Sequence, residues 1–163
     1  MSGNGIYIGI PNGVILCADG EPHHGMFRGR LYHGYHDGPI EIESFLEMTQ
    51  IMENLFDDLQ FPRPGLKDRS FNEDQAKAGH IDKKEKVRIM SDKELLTHRG
   101  ELGTFIIRVQ QRQGGTWQGR VTWVDQNKTI RFRSVLELIK LIESGIITEH
   151  PELAEDESPS WDE

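Results

Sequence analysis

Apolar residues between Phe105 and Phe132 fall largely on alternate positions, whereas from Val135 onward they return every third or fourth. A period of two predicts pleated strands, and a period near 3.6 predicts a helix with one buried face. Residues 105–112 therefore read as a strand, Gln113-Gly114-Gly115 as a tight turn and 117–125 as its partner strand. Asp125-Gln126-Asn127-Lys128 reads as the next turn and 129–133 as a third strand. Ser134-Val135-Leu136-Glu137 has the form of a capping box. It opens a helix over 135–144 with Val135, Leu138, Ile139 and Ile142 inward and Gly145 placed to end it.

The same device occurs earlier. Ser44-Phe45-Leu46-Glu47 opens a helix over 45–58 that buries Phe45, Met48, Ile51, Met52, Leu55 and Phe56. Pro62 and Pro64 prevent its continuation. Residues 7–10 and 14–18 flank Pro11-Asn12-Gly13, a further hairpin signal, so the first half is expected to hold as many as four strands. Residues 25–56 can be laid over 115–146 without a gap at a constant offset of 90, with eight identities in 32 positions. These are Gly25/Gly115, Gly29/Gly119, Arg30/Arg120, Ile40/Ile130, Ser44/Ser134, Leu46/Leu136, Glu47/Glu137 and Glu53/Glu143. Turn glycines and capping residues lead that set, which predicts two tandem copies of one strand-hairpin-then-helix unit.

The expected fold is α+β, with two antiparallel hairpin-based sheets, each backed by a helix and packed as a pseudo-two-fold pair. The first repeat covers 1–59 and the second 101–147. A charged stretch over 60–100, with a short helix near 92–98, reads as a linker, and 148–163 as an acidic, disordered tail.

Charge divides along the chain in the same way. The net charge is -8, yet Lys/Arg against Asp/Glu runs 2 to 7 over 1–56, 9 to 9 over 57–96, 8 to 4 over 97–146 and 0 to 7 over 147–163. In the second repeat Phe105, Ile107, Val109, Trp117, Val121, Trp123, Ile130 and Phe132 share the parity expected under the helix. The opposite parity collects Arg108, Gln110, Arg112, Gln118, Arg120, Thr122, Arg131 and Arg133, with no acid among them. Forked guanidinium donors on one face suit carboxylates or phosphates. Arg108, Arg112, Gln118, Arg120, Arg131 and Arg133 are therefore the candidate partner-binding residues. In the first repeat the third-strand positions are Glu41 and Glu43, so the two open faces should differ in charge.

Other chemistry finds little support. Cys17 is the only cysteine, which excludes an intramolecular disulfide and fits a small buried side chain in a reducing compartment. His23, His24, His33 and His36 cluster around the first hairpin, but their spacing matches no established metal site, and His33 occupies the place of Trp123. No nucleophile elbow, Walker loop, dinucleotide fingerprint or H-E-x-x-H is present, and Ser44, Ser134, Glu47 and Glu137 are accounted for by capping. No catalytic residue, cofactor or metal ligand is assigned. No apolar run approaches the roughly 18 residues of a membrane span, and the expected location is cytoplasmic.

The run RQGGTWQGRVTW, followed by FRSVLELIKLIESGI, resembles a set of small uncharacterised proteins of Gram-positive bacteria that share R-Q-x-x-x-W-Q-G and F-R-S-x-L-E-L. GRLYHGY and FPRPGLKDRSF look like their N-terminal half. The resemblance implies a family and no mechanism. In topology alone, duplicated strand-and-helix units look like the Whirly and Pur-alpha nucleic-acid-binding folds. The leading expectation is a non-enzymatic binding or adaptor protein that meets a protein partner through the basic face of the second repeat. A nucleic-acid or nucleotide binder is the alternative, and an acidic inhibitor mimicking nucleic acid through the first repeat and tail is a third.

Overall fold

The computed structural model describes residues 8–20, 26–62, 71, 87–113 and 116–153. Its fold is α+β. Among the described residues six antiparallel strands form one sheet: β1 (Val14–Ala18), β2 (Met26–His33), β3 (Ile40–Ser44), β4 (Gly103–Gln113), β5 (Thr116–Trp123) and β6 (Lys128–Phe132). Helix α1 (Phe45–Leu59) follows β3, the short α2 (Asp92–Leu95) precedes β4, and α3 (Val135–Glu149) follows β6.

The strand order is β3-β2-β1-β4-β5-β6. The halves are therefore not the two separate sheets expected from the sequence. They join edge to edge, with Val14 opposite Ile107, Leu16 opposite Phe105 and Ala18 opposite Gly103. That junction also removes the expected strand over 7–10, whose residues 8–10 are not in a strand and whose residue 7 lies outside the described residues. β1 already pairs with β2 on one side and β4 on the other, so no edge remains for a further hairpin strand. The Gly13 N–H closes the turn onto the Ile10 carbonyl at 3.2 Å.

One sheet face carries the main core. Leu16, Phe27, Leu31, Ile42, Phe105, Ile107, Val109, Trp117 and Phe132 pack there against Met48, Met52 and Phe56 of α1 and Leu138, Ile142 and Ile146 of α3. Each long helix starts at a serine whose Oγ accepts from the N–H three residues on, Ser44 from Glu47 and Ser134 from Glu137, both at 3.0 Å. In return the Glu47 and Glu137 carboxylates accept from the N–H groups of Glu43 and Arg133. Gly145 does not end α3, which runs to Glu149. It is buried, and a Cβ there would lie 3.0 Å from the Phe105 ring, so glycine is used for close approach of helix to sheet.

The other face is not open at its centre. Ile15, Cys17, Tyr32 and Ile106 are covered by Ile8, Met90 and Leu95. α2 opens with a capping box in which Ser91 and Glu94 satisfy each other's backbone N–H, and its buried Leu95 packs on this face. This explains why β1 and the start of β4 are apolar on successive residues: both of their faces are buried. The expected acidic tail from residue 154 onward, most of the expected linker and the Gly114-Gly115 turn lie outside the described residues.

Candidate functional site: an arginine row at one end of the sheet

Strand register places Arg108 opposite Arg120 on β4 and β5, and Arg120 opposite Arg131 on β5 and β6. Three guanidinium-bearing residues thus cross adjacent strands in one line, on the face away from the helices. The three differ in surroundings. Arg108 is partly buried, donating from Nε to the Ile8 carbonyl at 2.8 Å and from Nη1 to Thr122 Oγ1 at 2.7 Å. Thr122 Oγ1 also meets Thr129 Oγ1 at 2.8 Å, so a pair of hydroxyls lies in the cross-strand row next to the arginines. Arg120 and Arg131 are exposed, and neither makes a hydrogen bond or ion pair among the described residues. Like charges facing each other across a ladder are unfavourable, and a bound carboxylate would offset that repulsion.

The first half handles the same problem internally. Arg30, on the same face as Arg120, donates from Nε to Asp19 Oδ2 at 2.7 Å and from Nη2 to Asp19 Oδ1 at 3.1 Å. It also donates to Tyr32 Oη at 2.8 Å and to the Arg99 carbonyl at 2.9 Å. The bond to Asp19 holds the Arg30 pKa above its ordinary value, while burial opposes it. Burial pushes the Asp19 carboxyl up, but the bonds from Arg30 and the Glu101 N–H outweigh this and hold it below the usual carboxylate range. His98 stacks on Tyr32 with ring centroids 3.7 Å apart, and burial followed by the nearby Arg30 charge lowers its pKa. Cys17, fully buried beneath this group, is pushed up to about 11 by burial, which leaves a protonated, unreactive thiol.

Of the other expected partner-binding residues, Arg112 is not on this face at all. A register shift between Val109 and Gln111 adds a residue to β4, and beyond it Arg112 pairs with Trp117 on the helix side. There Arg112 is buried, with 5% of its side chain exposed. It donates from Nη1 to Glu53 Oε2 at 3.0 Å and to Asp57 Oδ1 at 2.9 Å, and from Nε to the Pro62 carbonyl at 2.6 Å. Its guanidinium carbon lies 5.6 Å from the centre of the Phe56 ring, and Trp117 Nε1 donates to the same Glu53 carboxylate. The bulge inverts the strict parity that predicts Arg112 on the open face. Arg133 is exposed and reaches Glu137 at 3.8 Å, and Gln118 is partly buried rather than freely presented.

The acidic and basic surfaces expected on two separate sheets are opposite ends of one face, since Glu41 lies on edge strand β3 and Arg131 on edge strand β6. Trp117 and Trp123 belong to the helix-covered side. His33 is buried and its Nδ1 accepts from the Tyr35 N–H at 3.1 Å, a packing role, while His23 and His24 lie outside the described residues. Among the described residues no group of His, Cys, Asp or Glu is arranged to hold a metal, and no helix is long and apolar enough to cross a membrane. Compared with known proteins, the chain matches no family model, no curated protein and no solved structure.

Proposed function

We propose that this chain is a non-enzymatic binding protein that docks an acidic protein surface on the exposed end of the arginine row, with Arg120 and Arg131 as the contacts. The observation that carries the reading is their opposition across β5 and β6 with no ion pair among the described residues. Two forked donors in one line suit a pair of carboxylates. An extended nucleic-acid path is less favoured, because it asks for a longer basic track and for aromatic rings on the same face. The two tryptophans of β5 are under the helix instead.

We also read the chain as a duplicated unit. Supporting this, α1 and α3 are each 15 residues long, begin 90 residues apart, and start from serine caps of the same form. Gly29 and Gly119 both sit where a Cβ would strike a neighbouring strand's carbonyl, that of Cys17 or of Arg108. On this reading one ancestral edge strand became acidic and the other basic, which gave the sheet two unlike ends. Binding of a labelled polyglutamate peptide, weakened by Arg120→Ala and Arg131→Ala and by added salt, tests the docking surface. Stronger binding of oligonucleotides than of the peptide would replace the acidic protein with nucleic acid.

A further inference from the structure

Six strands that alternate in direction leave the two edges antiparallel to one another, so β3 of one copy meets β6 of the next in antiparallel sense when the copies repeat along the sheet. The helices then stay on one side throughout. Both edges have five residues, and neither has a second strand beside it among the described residues. An edge of this kind presents backbone N–H and C=O groups for pairing, the Glu43 N–H excepted because the Glu47 carboxylate holds it, and charged side chains normally guard it. Here the guards have opposite signs. Glu41 and Glu43 line β3, whereas Lys128 and Arg131 lie on β6. Two β3 edges repel, two β6 edges repel, and only β3 against β6 attracts.

We infer that the acidic partner of the arginine row is a second copy of this chain, joined by pairing its β3 edge to this β6 edge in a head-to-tail, open-ended assembly. This rests on the docking surface proposed above. Side-chain parity fixes the register to within steps of two. Full overlap of the two five-residue strands sets Glu41 opposite Arg131, Ile42 opposite Ile130, and Ser44 opposite Lys128. Glu41 is itself opposite Arg30 within its own copy. The row across the junction then reads Arg30, Glu41, Arg131, Arg120, Arg108, and the unrelieved pair gains a carboxylate neighbour. On the helix side the same register covers Ile130, which is 49% exposed in the single chain. The contact is heterologous and does not close on itself, so growth proceeds beyond a dimer.

Sedimentation of the full chain across a concentration series at about 50 mM salt, where charges still act over more than about 10 Å, reads this directly. The weight-average mass should rise with concentration beyond two copies and return toward 18.7 kDa on raising the salt to about 0.5 M. E41K/E43K has two basic edges and R120E/R131E two acidic ones. Each should sediment as a monomer with a cooperative melting transition, and mixing the two should restore growth, which a misfolded variant cannot do. A wild-type mass fixed at one copy, a closed dimer that grows no further, or a mixture that stays monomeric would overturn the inference. If polyglutamate still binds a strictly monomeric chain and loses Arg120-dependent affinity in R120A, the self-assembly fails while the docking surface stands. Loss of both removes the surface itself.

Discussion

Arg112 Nη1 lies 2.9 Å from Asp57 Oδ1, so a strand of the second half is clasped to the helix of the first by an ion pair whose cation is buried. Glu53 and Asp57 keep 37% and 48% side-chain exposure, which moderates the cost of removing the cation between them. Arg112→Met should lower stability by about 2 kcal/mol, less than the loss typical of a fully buried pair. It should leave the affinity for polyglutamate unchanged. Chemical denaturation together with a binding titration checks both halves of this statement. A weakened titration with unchanged stability would return Arg112 to the open face.

Gly119 and Gly145 predict different penalties for the same added methyl. At Gly119 a Cβ would stand 1.9 Å from the Arg108 carbonyl oxygen, a backbone atom that moves only if β4 and β5 part. Gly119→Ala should cost at least about 3 kcal/mol or abolish folding. At Gly145 the neighbour is the edge of the Phe105 ring at 3.0 Å, which can shift slightly, and alanine favours the helix. Gly145→Ala should therefore cost only about 1 kcal/mol, the overpacking being partly offset by helix propensity. Melting curves of the two variants give the order.

The pH dependence follows from His98 and Asp19. Burial and the Arg30 charge depress the folded-state pKa of His98 below 6.5, so the unfolded chain binds its proton first. Its contribution is present above pH 6.5 and is lost as the pH falls from there toward the lowered value. Asp19 is held below its ordinary 3.8, so the stability it contributes persists above that pH and disappears as the pH falls through the folded value. Replacing His98 by Phe keeps a ring on Tyr32 and removes the titration. The wild-type melting temperature should fall relative to that of His98→Phe as the pH drops below 6.5, because only the wild type carries the extra slope there. Parallel curves through that window would contradict the assignment.

Much of this architecture is written locally. Ser44 with Glu47, Ser134 with Glu137, and the apolar spacing behind each pair fix both long helices to within a few residues. Alternation fixes β5 and β6 nearly as well. What parity cannot carry is an inserted residue: the bulge after Val109 turned Arg112 inward, and the only sequence trace of it is the consecutive polar pair Gln110-Gln111. Nor does a strand announce which edges it will fill. The unbroken apolar run Val14-Ile15-Leu16-Cys17-Ala18 matches the burial of both faces of β1, but by itself it does not tell the centre of one shared sheet from a strand of a separate sheet. Helix α3 overran Gly145 because a glycine stops a helix only where no packing demand holds it inside.

On the proposed function, Arg120 and Arg131 form a docking surface for carboxylates. Titration of a fluorescent polyglutamate peptide into wild type, R120A, R131A and the double variant at about 50 mM salt tests it most directly. Each single change should weaken binding near fivefold, about 1 kcal/mol, while the melting temperature stays level or rises as the like charges separate. Equal affinity across all four proteins would contradict the account.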